Sequence, residues 1–153
     1  MLDPPARVVM TGSVPDEALA AIRRGASGDV EVLVVGTGEI ADVEGSVDLL
    51  FIGPAAPFSV AAELFARWPG RVAPGGLLFV YGAFAAPPLT AALLRAIGSS
   101  RAWRYYGRDG ALAEYVRADL THGERVLDAI AQLAQLAYFM RRMARRRLRR
   151  RLA

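Results

Sequence analysis

Cysteine is absent from this 153-residue chain, and so is lysine. The first absence removes disulfides, thiolate metal sites and cysteine nucleophiles together. Histidine occurs once, as His122, so zinc sites and the usual nucleophile–base dyads have no raw material. Without lysine, all nineteen basic residues are arginine. Alongside abundant alanine and glycine, that bias reads as genome composition and carries no functional weight. A secretory signal is missing as well: the chain opens on Asp3-Pro4-Pro5 and shows no basic region ahead of an apolar one. The stretch that imitates a membrane span, Val72 to Leu94, is free of charge over 23 residues. Pro74, Gly75, Gly76, Gly82, Pro87 and Pro88 break it, so it reads as a buried strand followed by a buried helix face. Together these features fit a reducing, cytoplasmic setting.

What is present is a hydrophobic content of 54%, which excludes general disorder and gives one domain a core of ordinary size. The net charge of +4 averages two unlike parts. Residues 1–140 carry eleven arginines and fifteen acids, whereas the last thirteen residues carry eight arginines and no acid. Attraction to anionic partners is therefore a property of the C-terminus.

Along the chain, Arg7 to Thr11 reads as a short buried strand. Gly12-Ser13-Val14-Pro15-Asp16-Glu17 follows as a turn into a helix, with Ser13 as cap and the two acids at the positive helix end. Gly25 and Gly28 stop that helix, and Val30 to Val35 forms a second strand that ends in Gly36-Thr37-Gly38. The span from Gly36 to Ser46 is too short for a crossover helix and reads as a loop. Val47 to Ile52 and Gly76 to Tyr81 are near-continuous apolar runs joined by a helix over Pro57–Trp68. Such runs are the pattern of parallel strands covered on both faces. Leu89 to Ile97 is the next helix. Ala102–Gly107 and Ala111–Arg117 flank Asp109-Gly110 as an antiparallel hairpin.

Interleaved arginine and aromatic residues from Arg101 to Arg108 match a single-strand nucleic-acid platform in composition. Strand aromatics packed on the sheet, with arginines outward, explain them more simply. Asp48 reads as a backbone-bonding residue, and His122 as an exposed helix-start residue. Thr121-His122-Gly123-Glu124 has capping-box spacing. It opens a helix of about 45 Å at roughly 1.5 Å per residue, whose apolar stripe runs through Val126, Ile130, Leu133, Ala137 and Met140.

The run Val47-Asp48-Leu49-Leu50-Phe51-Ile52, the spacing to Arg71-Val72-Ala73-Pro74-Gly75-Gly76-Leu77-Leu78, and the closing hairpin Tyr106 to Tyr115 resemble the C-terminal half of class I S-adenosylmethionine-dependent methyltransferases. The small bacterial branch is the nearest in pattern, and the resemblance covers roughly residues 30 to 120. It implies a Rossmann-like α/β fold: a mostly parallel sheet of about six strands in the order 2-1-3-4-6-5, with the Arg7 strand central and a C-terminal antiparallel hairpin. Residues 1–120 would form this domain, truncated by an edge strand and a helix, and 121–153 a long basic amphipathic helix.

A ligand of such a fold lies at the switch point between the Arg7 and Val47 strands. The expected lining is Thr11, Gly12, Ser13, Gly36, Glu39 and Gly53, with Glu39 in reach of ribose hydroxyls if S-adenosylmethionine binds. The chain departs from the family pattern at three places. The full glycine-rich cofactor loop has no counterpart, Gly53-Pro54-Ala55-Ala56 stands where an acid and often a histidine follow the fourth family strand, and Tyr81-Gly82 replaces the His-Asp after the fifth. None of these residues supplies a metal ligand or a general base at neutral pH. The expectation is a catalytically weak or silent methyltransferase-type domain that holds no cofactor tightly. The alternative is a non-enzymatic module that meets a protein partner or an anionic membrane surface at the inner face of the membrane. Its contact residues would be Arg141, Arg142, Arg145, Arg146, Arg147, Arg149, Arg150 and Arg151, with nucleic acid weighing less as partner.

Overall fold

A computed structural model describes residues 6–25, 29–36, 45–55, 57–98 and 100–151. Strand β1 (Ala6–Thr11) leads through α1 (Asp16–Gly25) to β2 (Val30–Val35), and β3 (Val47–Ile52) through α2 (Phe58–Arg67) to β4 (Val72–Tyr81). Helix α3 (Pro87–Leu93) runs into a π-helical turn at Leu94–Gly98. The hairpin strands β5 (Trp103–Asp109) and β6 (Leu112–Arg117) precede helix α4 (His122–Arg151). The sheet order is β2-β1-β3-β4-β6-β5, as the sequence implies. β1 is an interior strand next to the edge, paired in parallel with β2 through Val8↔Val32 and with β3 through Val8↔Leu49, while β6 runs antiparallel to β4 and β5.

The two sheet faces follow from the two-residue side-chain period of the strands. On one face Val9, Leu50, Ile52, Leu78, Val80, Ala113 and Tyr115 are buried under α2 and α3 and the inner side of α4, with Leu64, Phe65, Leu89, Leu93 and Phe139 above them. On the other, Val8, Met10 and Phe51 meet Ala18, Leu19 and Ile22 of α1, while Leu49, Phe79 and Leu112 are only partly buried.

Three boundaries and one strand register differ from the sequence reading. β4 begins at Val72, four residues before Gly76, because Val72 pairs with Val47 and the register then slips before Leu49↔Leu77. The slip lets Pro74 and Gly75, at φ +80°, sit within a strand that regular pairing would deny them. Helix α1 starts at Asp16, with the Pro15 carbonyl accepting from Ala18 and Leu19, two residues later than a Ser13 cap implies. Helix α3 starts at Pro87, so both prolines lie in its first turn, where a missing N–H costs nothing. In the hairpin, the register shifts between Tyr105 and Gly107. Tyr106 is thereby the extra residue of a bulge and faces solvent, while Trp103 is buried and Tyr105 partly so.

Asp48 accepts a hydrogen bond from the Arg7 backbone N–H at 2.8 Å, the structural role expected of it. The capping box also forms: Glu124 N–H donates to Thr121 Oγ1, and Glu124 Oε2 accepts from the Thr121 backbone at 2.9 Å and from its hydroxyl at 2.8 Å. His122 is exposed beside it.

Candidate functional site

The carboxyl ends of β1 and β3 meet at the switch point, where the chain leaves β1 for β2 on one side and returns as β3 on the other. Thr11, Gly12, Ser13 and Gly53 come together there, as the sequence reading expects. They do so through backbone. Gly53 N–H donates to the Thr11 carbonyl at 2.7 Å. A Cβ on Gly53 would stand 2.2 Å from the Ser13 carbonyl oxygen, and one on Gly12, at φ +87°, would meet the Gly53 backbone at 3.2 Å. Both positions need glycine, one for space and the other for its left-handed conformation.

The backbones of the two loops are thus in close contact. Gly36 lies exposed just beyond β2, next to this edge, and Glu39 falls outside the described residues. Among the described members of the expected lining, only Thr11 and Ser13 carry polar side chains. Thr11 is fully buried, and its Oγ1 has no hydrogen-bond partner. A buried hydroxyl of this kind costs about 1–3 kcal/mol, and a ligand could satisfy it. The charged amino-acid end and the ribose of S-adenosylmethionine need charged or amide partners, and the described lining residues carry no such side chain. Among the described residues, no group of three or more His, Asp or Glu is placed to hold a metal ion.

Past β4 the chain turns through Gly82, at φ +85°, and Phe84, at φ +62°. A bulky residue in the left-handed region is strained, so the surroundings must hold it there. They do: Phe84 is 2% exposed, stacked on Phe139 of α4 at 6.4 Å between centroids and edge-on to Tyr105 at 6.3 Å. The same ring contacts that offset this strain seat α4 against the sheet.

The rest of that seam is polar. Arg104 pairs with Glu124, Asp128 accepts from the Tyr105 backbone N–H at 2.7 Å, and the Tyr115 hydroxyl donates to Gln132 Oε1 at 3.2 Å. Arg108 lies over the rings of Phe139 and Tyr138, 4.6 and 5.4 Å from their centroids. Burial pushes the Tyr115 phenol far above its ordinary range, so it stays protonated and remains a donor. The Thr121 backbone N–H and then its hydroxyl hold the Glu124 carboxyl below the usual carboxylate range, with Arg104 adding to the effect. Sequence reasoning missed this seam. Its signal was the four-residue spacing of Glu124, Asp128 and Gln132, which puts three hydrogen-bonding side chains on one helix face.

The outer side of α4 is its apolar one. Ile130, Leu133 and Met140 are 57%, 58% and 57% exposed, and Val126, Leu127 and Tyr138 are exposed beside them. Arg141 is exposed at the end of this stripe. For Arg142, Arg145, Arg146, Arg147, Arg149, Arg150 and Arg151 the helical backbone is described.

An apolar groove of about 590 Å³ opens on the α1 side of the sheet, between Ile22 of α1 and Leu49, Leu77, Phe79 and Leu112. Asp29 and Asp48 also line it.

No family model matches the sequence, and no curated protein matches it. Solved structures are similar at low identity. One is a ribosomal protein methylase from Lactobacillus delbrueckii subsp. bulgaricus, 16% identical over 78% of this chain and 72% of that one, with a TM-score of 0.41. An rRNA methylase from Streptococcus thermophilus is 16% identical over 78% and 90% of the two chains, with a TM-score of 0.46. A 16S rRNA methyltransferase from T. thermophilus, in complex with AdoMet and guanosine, is 15% identical over 79% of this chain and 37% of its own, again with a TM-score of 0.46. Methyltransferases thus stand among the structural neighbours of this Rossmann-like sheet with its antiparallel terminal hairpin.

Proposed function

We propose that this chain is a methyltransferase-type domain that keeps the sheet scaffold, does not catalyse methyl transfer and holds S-adenosylmethionine at most weakly. The observation that carries the reading is the backbone contact between Gly53 and Ser13 at the switch point. It leaves a cofactor only the outside of the two loops. The residues at the carboxyl ends of β3 and β4, Gly53-Pro54-Ala55 and Tyr81-Gly82, support the same reading, since a general base needs a group that accepts a proton near neutral pH. Among the described residues of the switch point, Thr11 Oγ1 is a buried polar atom without a partner, and a single hydroxyl contributes too little to hold a nucleoside alone.

Calorimetric titration with S-adenosylmethionine tests this. The expected result is no heat of binding with cofactor at millimolar concentration. Saturable micromolar binding that disappears in Thr11→Val would overturn it and make the domain a cofactor binder.

A further inference from the structure

Helix α4 is amphipathic in the reverse of the usual sense. The side that meets the domain carries Glu124, Asp128 and Gln132 along with Phe139, each with a partner in the domain. The side turned away carries Val126, Ile130, Leu133 and Met140, spaced four, three and seven residues apart and each at least 44% exposed. From Val126 to Met140 that stripe runs roughly 21 Å along the helix axis. A surface of this kind on a protein marks a contact. Immediately after it, the sequence sets eight arginines and no acid between residues 141 and 153.

We propose that α4 lies in the plane of an anionic lipid surface, with Val126, Ile130, Leu133 and Met140 entering the acyl boundary and the arginines that follow meeting lipid phosphates. Charge decides against the other occupants. A second copy packed in parallel would bring eight arginines against eight. Packed antiparallel, it would need acids to answer them, yet the helix has only Glu124 and Asp128, and both are engaged with Arg104, Thr121 and Tyr105 on the domain side. A nucleic acid offers phosphate but no apolar layer for the stripe. An anionic bilayer offers both, side by side, at the depth an interfacial helix needs. The helix lies on the surface and does not span it: among the described residues no helix is long and apolar enough to cross a membrane. The proposal does not depend on whether the domain binds a cofactor.

The test is co-sedimentation of the full chain with vesicles of phosphatidylcholine alone and of phosphatidylcholine mixed with anionic phosphatidylglycerol. The expected result is binding only to the anionic vesicles, at least tenfold weaker in Ile130→Ser/Leu133→Ser and again in Arg141→Gln/Arg142→Gln/Arg145→Gln. Both sets of changes lie on exposed or terminal positions, and an unchanged far-UV circular dichroism spectrum confirms the fold. Equal binding to both vesicle types overturns the proposal. So does wild-type binding by the serine variant, which would leave only charge at work, as on a polynucleotide. A vesicle-free dimer that the serine variant makes monomeric also overturns it, since a second copy would then own the stripe.

Discussion

The two faces of the sheet are built from the same kinds of residue and finished differently. On the α2 and α3 face, Leu50, Leu78, Val80, Ala113 and Tyr115 are completely buried. On the α1 face, the neighbouring strand positions Leu49, Leu77, Phe79 and Leu112 border an open groove. Alternating side chains along β4 thus experience a closed core and a half-covered one within 3.4 Å of strand rise per residue. The lesson is that apolar strand content fixes the sheet, whereas stability comes from whichever face has helices enough to close it.

The sharpest way to break this comparison is to truncate adjacent residues. Leu78→Ala should cost about 3 kcal/mol, because it empties a fully buried site, and Leu77→Ala on the groove side only about 1 kcal/mol. Denaturant melts of the two variants measure the difference, and equal losses would mean that the groove face is as closed as the other. Next comes the polar seam that seats α4 on the closed face. Gln132→Ala removes the acceptor of the buried Tyr115 hydroxyl, and a loss of about 1–2 kcal/mol is expected from the same melts.

Thr11 sharpens the comparison from the opposite direction. It shares the closed face with Val9, and its hydroxyl has no partner, so Thr11→Val should leave stability unchanged or raise it by up to about 1 kcal/mol. A clear loss would show that the hydroxyl has found a protein partner or ordered water. The smallest effect belongs to Glu124, at the edge of the closed face. Its carboxyl titrates below the usual range in the folded chain, so its contribution is present above the unfolded carboxylate range and is lost as pH falls through the lowered value. Glu124→Gln should flatten that part of the stability profile, read as thermal midpoint against pH between about 3 and 6.

Much of the fold is legible in the residues. The near-continuous apolar runs of β3 and β4 mark buried parallel strands, and the family resemblance implies β1 between β2 and β3, where the structure has it. Asp109-Gly110 announces the hairpin, with Gly110 at φ +54°. The start of β4 is hidden because Ala73-Pro74-Gly75 carries the signature of a loop, and only the slipped pairing with β3 admits it to the sheet. Tyr106 departs from the reading of strand aromatics packed on the sheet, because it is the extra residue of a bulge and faces solvent.

At the candidate site, the sequence supplies the glycines but not their contact. The implied strand order places Gly12 and Gly53 at one switch point, and only the structure brings their backbones into contact. The direction of the α4 stripe is equally hidden: an apolar stripe ordinarily faces the core, and here hydrogen-bonding side chains with Phe139 take that place. The open residues of α4 and the closed switch point are the two halves of one claim, that the scaffold has been kept while its contact surface has moved to the C-terminal helix.

Amide hydrogen exchange of the intact chain, with anionic vesicles and S-adenosylmethionine added together, tests that claim most directly. Exchange should slow along residues 122–151 and stay unchanged at Thr11, Gly12, Ser13 and Gly53. Slowing at the switch point with none along α4 would contradict it.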